Sequence, residues 1–119
     1  MQRIYAAAIF ALFATQAQAA DLLYISEYNA IGGSGQVQVA SEPATVDQVT
    51  ADFTSAAEQS SAFQANTSIV RLICNVQCSV LFGTNPTATN ANKVLPALIP
   101  EYFYVQPGQS YKISVHTNP

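Results

Sequence analysis

Charge is what this chain has least of. Its 119 residues are 9% charged, against about 25% in an average soluble domain, so its solubility rests on hydroxyls and amides. Basic residues are scarcer still, four against seven acidic ones. With no cationic stripe to displace counterions from phosphates, nucleic acid is excluded as the expected partner. There is one histidine and there are two cysteines. A zinc site needs three or four suitable ligands, and these three residues are too few to make one with any margin. No Gly-x-Ser-x-Gly elbow occurs. Residues 31–35, Ile-Gly-Gly-Ser-Gly, resemble a phosphate loop but are followed by neither Lys-Ser nor Lys-Thr, so they read as a flexible turn or tip. No cofactor is implied. Few charges also mean little repulsion between copies, which suits a protein that packs against itself or a lattice.

Long apolar runs are missing too. The longest, residues 4–14, is about half the roughly 20 residues a bilayer-spanning helix needs, so no permanent membrane span is expected. Preceded by Arg3 and followed by small residues at Ala17 and Ala19, this run has the three-part layout of a secretory signal. The expected division is a helical signal-like leader over residues 1–19 and a single domain over 20–119, where one modest core fits. Beyond the leader, three basic residues face seven acidic ones, a net charge of −4.

What the domain does have is alternation. Residues 21–28, rich in Leu, Tyr and Ile, predict a strand. Val37 and Val39 alternate with glutamines up to the break at Pro43 and predict a second. Across residues 45–54, Val49, Ala51 and Phe53 share one face at period two. Residues 55–65 mix helix formers with Ser60-Ser61 and Phe63, and we expect a strand over 60–65. Asn66-Thr67-Ser68 matches a glycosylation sequon, a pattern too short to carry weight.

Residues 69–82 read as a β-hairpin. With residues 75–77 as its loop, Cys74 faces Cys78, Leu72 faces Val80 and Val70 faces Phe82, so six apolar side chains share one face and a one-residue slip would break the pattern. Opposed Cα atoms lie about 4.5–5.5 Å apart, within disulfide range. Cys74 and Cys78 either form a disulfide or pack as two reduced thiols. Three residues separate them, not the two of a thioredoxin-type motif.

Turn chemistry follows at residues 83–86, and residues 87–92 have no apolar face, which predicts an exposed loop. Residues 94–100 carry prolines at positions 96 and 100, which suits a short edge segment. Residues 101–105 resume strand character. Beyond a Pro107-Gly108 turn, Tyr111, Ile113 and Val115 alternate with Lys112, Ser114 and His116. Seven to nine strands with regular turn signals predict an all-β, antiparallel β-sandwich, with a jelly roll as the candidate topology.

From the Val70-Arg71 strand, Phe82-Gly83, Asn85-Pro86-Thr87-Ala88, Glu101-Tyr102-Phe103 and Pro107-Gly108, with the opening strand from Tyr24 to Tyr28 ahead of them, the domain resembles small, uncharacterised structural proteins of tailed bacteriophages and prophages. The resemblance implies a compact sandwich attached to a capsid, neck or tail, with no enzymatic role. Its partners would then be other virion proteins or further copies of itself, and its location the virion. The leader is a feature such proteins do not need. It supports the alternative of an exported, periplasmic or secreted β-domain that binds a glycan or a surface protein.

Candidate chemistry is thin. His116 falls on the polar face of the last strand, where solvent exposure is expected, and catalysis would need a serine and an orienting group beside it. The carboxylates are dispersed over different elements. Tyr24, Tyr28, Tyr102, Tyr104 and Tyr111 are the candidate interface residues, because tyrosine combines a large contact area with a polar tip.

Overall fold

The computed structural model describes residues 19–32 and 39–119. Residues 1–18, and with them nearly all of the expected leader, lie outside these, as does Val37 of the expected second strand. Ten strands occur among the described residues and no helix. They are β1 (Leu23–Tyr28), β2 (Ile31–Gly32), β3 (Val39–Ala40), β4 (Val46–Val49), β5 (Glu58–Gln59), β6 (Ile69–Cys74), β7 (Cys78–Gly83), β8 (Lys93–Leu95), β9 (Glu101–Tyr104) and β10 (Lys112–Thr117). Eight of them build two four-stranded sheets: sheet I in the order β4-β1-β6-β9 and sheet II in the order β5-β10-β7-β8. All neighbours in both are antiparallel. The short strands β2 and β3 pair with each other alone.

The pairings are nested. β7 pairs with β8, β6 with β9 and β5 with β10, each pair enclosing the last in sequence and alternating between the sheets. The next pair outward joins β4 to β1, so the strand that would follow β10 is supplied from the other end of the chain. Between the sheets lies one apolar core. Leu23, Ile25, Val70 and Leu72 of sheet I meet Val80, Ile113, Val115 and Leu95 of sheet II there. Burying each side chain of this size stabilises by about 1.5–3 kcal/mol.

The segment expected to be a hairpin is a corner instead. β6 and β7 do not pair: β6 lies between β1 and β9, while β7 lies between β10 and β8 in the other sheet. Val70, Leu72, Cys74, Cys78, Val80 and Phe82 still share one surround, but they meet across the core rather than side by side. Alternation is identical in the two arrangements and does not choose between them; in the structure each strand finds both of its ladder partners in its own sheet. Cys74 and Cys78, both fully buried, are joined by a disulfide across the corner.

Three other expectations need correction. Phe53 is buried while Val49 and Ala51 are exposed, because β4 ends at Val49 and the chain turns inward beyond it. The strand expected over residues 60–65 is the shorter β5 just before it. Beyond β5 the chain still follows β10, through the bonds Ser60 N to Ile113 O (2.8 Å) and Phe63 N to Tyr111 O (2.8 Å). Finally, the loop after β7 is not free. Pro86 and Ala88 are buried. The amide of Ala88 donates to Ser114 Oγ (2.8 Å), and Gln59 Nε2 donates to the carbonyl of Pro86 (2.6 Å). Ser114 and Gln59 are register partners in sheet II, and Ser114 alternates with the core residues Ile113 and Val115. The loop therefore straps the outer face of sheet II.

Candidate functional site

Among the described residues no such strap covers most of the outer face of sheet I, and three transverse rows of side chains can be read from its register. Val49, Tyr24 and Ile73 form one row. Asp47, Ser26, Arg71 and Tyr102 form the next, with the Ser26 hydroxyl donating to Asp47 Oδ1. Tyr28, Ile69 and Tyr104 form the third. The first two rows line a shallow depression of about 500 Å³ bordered by Tyr24, Ser26, Asp47, Val49, Arg71 and Ile73.

Tyr24, Val49, Tyr102 and Tyr104 are all exposed on this face, Tyr104 to 74%. β-branched and aromatic side chains suit the pleated surface, and a partly aromatic patch with one cation, Arg71, and one acid, Asp47, has the composition of a protein interface. The third row is closed at one end. Tyr28 is buried, and its phenol donates to Glu42 Oε1 (2.7 Å). Burial, and then the neighbouring Glu42 carboxylate, push the Tyr28 phenol up to about 12.

The structure thus brings four of the five candidate tyrosines to one face. Tyr111 lies elsewhere, half-buried beside a smaller hollow of about 240 Å³ that Phe82, Phe103, Lys93 and Tyr104 also line. Phe82 and Phe103, from opposite sheets, pack there with centroids 5.4 Å apart and ring planes tilted by 59°, and Lys93 Nζ lies 5.5 Å from the Phe103 centroid.

His116 is half-buried, and its Nδ1 donates to the carbonyl of Thr117 (2.6 Å). Its register neighbour Ser79 is held by Asn118 Nδ2, which donates to Ser79 Oγ (2.6 Å). Among the described residues no three His, Cys, Asp or Glu side chains gather as a metal site, and no helix is long and apolar enough to cross a membrane.

Two groups escaped the sequence reading. Glu27 is fully buried on the core side of β1. Its Oε1 accepts from the amide of Gln64 (2.8 Å) and the Thr67 hydroxyl (2.7 Å), and its Oε2 from Gln48 Nε2 (3.1 Å). Its phase with Leu23 and Ile25 was the available signal. The second group is in the corner. Asn75 Oδ1 accepts from the amide of Leu22 (2.8 Å) and its Nδ2 donates to the carbonyl of Ala20 (2.6 Å), while Gln77 Nε2 donates to the carbonyl of Asn118 (2.9 Å). One three-residue link anchors both ends of the domain.

No family model, curated protein or solved structure matches the chain.

Proposed function

We propose that this protein is a non-enzymatic structural component of a tailed-phage or prophage virion, a capsid decoration or head–tail accessory protein that attaches by packing the outer face of sheet I against another protein. One observation carries the reading: the outer face of sheet II is strapped by its own loop, whereas that of sheet I presents Tyr24, Val49, Tyr102 and Tyr104 to solvent around a central arginine. The fold proposed with it is a jelly-roll sandwich. Nested pairing that alternates between two four-stranded sheets is what rolling up one long hairpin produces, here with the final strand displaced to the N-terminal side.

The test is proteomics on particles purified after prophage induction. We expect this chain among the structural proteins, and its incorporation to fall at least tenfold when Tyr102 and Tyr104 are both changed to Ser. Detection of all other structural proteins without this one would remove the reading.

A second reading is favoured by the Cys74–Cys78 disulfide, since such bonds persist in oxidising compartments. In it the domain is exported to the periplasm or beyond and the same face binds a glycan or a surface protein. Mass spectrometry of periplasmic protein beginning at Ala20 would support that reading, and an intact Met1 would remove it.

A further inference from the structure

The central row of sheet I's outer face runs acid, hydroxyl, cation, phenol: Asp47, Ser26, Arg71, Tyr102. Its charge pattern is unequal end to end, and this restricts what can lie on it. We propose that the partner covering this face is a second copy of the same chain, related by a two-fold axis that lies in the interface, runs close to the strand direction and passes between β1 and β6. The proposal rests on sheet I's outer face being the docking surface and names what docks there.

The geometry of the row selects this axis. Strands lie about 4.8 Å apart, so the row spans about 14 Å. Rotation about an axis along the strands reverses the row. Arg71 then lands over the partner's Ser26, within side-chain reach of the adjacent Asp47, and the Tyr102 hydroxyl lands over Asp47. The operation is reciprocal, as an isologous interface requires, so each arginine–aspartate contact occurs twice.

In the neighbouring row the same rotation places Tyr24 over Ile73, apolar against apolar. Rotation about an axis along the row itself would set Arg71 on Arg71 and Asp47 on Asp47, and like charges in contact oppose association. Two sheets that pack face to face keep their strands within about 30° of each other, which an axis near the strand direction satisfies. Within one chain Ser26 stands between Asp47 and Arg71, so the acid and the cation of the row are not register neighbours.

Size sets the strength. A four-strand face is small beside the roughly 800 Å² per partner of a standard interface, so a weak, concentration-dependent dimer is expected rather than an obligate one.

Sedimentation of the full chain over a range from micromolar to sub-millimolar concentration, at low and at high salt, is the measurement. Wild type should shift from monomer to dimer with rising concentration, less so at high salt. Arg71→Glu and Asp47→Arg should each weaken self-association at least tenfold, because each sets like charges together at both contacts. Mixed in equal amounts, these two variants should form a heterodimer. Arg71 of the Asp47→Arg chain then meets an unchanged Asp47, while the introduced glutamate and arginine meet each other. That rescue also reports that both variants are folded.

A wild type that stays monomeric throughout, self-association indifferent to both swaps, or two variants that fail to associate when mixed would each overturn the proposal. A monomeric protein that is nevertheless found in purified particles would overturn it while leaving the virion assignment intact, with a different virion protein as the partner of the face.

Discussion

Glu27 has no exposed surface, and a carboxylate so placed is tolerated only where donors meet it. Gln64, Thr67 and Gln48 supply them, while Gln48 Oε1 also accepts from the amide of Ser61 (3.0 Å). Replacing Glu27 by Gln breaks this closure. The new amide nitrogen meets the Gln48 amide nitrogen, and flipping Gln48 merely transfers the conflict to the Ser61 amide. The unmet donor is part-buried without the flip and is the amide of exposed Ser61 with it, so Glu27→Gln should lose about 1 kcal/mol, read from urea denaturation. Tyr28 makes a prediction in pH. Its phenol is raised from 10.0 to about 12 in the folded protein, so between those values the unfolded chain releases the proton more readily, and stability must fall as pH rises. Tyr28→Phe should flatten that alkaline slope. Comparing wild type with the variant by denaturation from pH 9 to 12 checks this.

At the scale of elements, the corner between β6 and β7 carries the clearest consequence. The disulfide closes a short loop, with its cysteines four positions apart in sequence, and the chain-entropy estimate for such a loop is about 2 kcal/mol. Reduction should lower the unfolding free energy by that order. It should leave the far-UV spectrum unchanged below the urea midpoint, since each strand keeps two ladder partners without it.

Much of this level was legible in the sequence. The alternation over β1, β6, β7, β9 and β10 marked the strands, and it assigned Val70, Leu72, Val80 and Ile113 to the core. Period two does not distinguish neighbours in one sheet from partners across the core, and for that reason the hairpin was expected. Nor is there any periodicity in residues 84–92 to reveal the strap. Its bonds go to Gln59 and Ser114, the latter 26 positions from Ala88, and only the folded topology brings them within reach. The tyrosines stood out by residue type, whereas their gathering on one face with Arg71 at its centre depended on the strand order β4-β1-β6-β9.

At the largest scale the described residues are organised by nested pairing and by the meeting of the segments that precede β1 and follow β10. Asp21 and Pro119 line the same hollow of about 180 Å³, beside Val76 and Gln77 of the corner. A circular permutant should therefore fold. With Pro119 joined to Asp21 by a short Gly-Ser linker and new ends at the exposed Pro107-Gly108 turn, β1 would follow β10 in sequence while keeping β4 and β6 as neighbours. Cooperative unfolding with a urea midpoint near that of wild type is the expected result, and loss of cooperativity would contradict the closeness of the ends. In the natural order, the first of the described strands, β1, sits in the middle of sheet I and the last of them, β10, in the middle of sheet II. A ribosome delivers β1 before either of its neighbours, β4 and β6, and β10 after both of its own, β5 and β7. Sheet I can begin to assemble from β1 onward, but β5 and β7 have nothing between them until β10 is made, so the centre of sheet II closes later than the centre of sheet I.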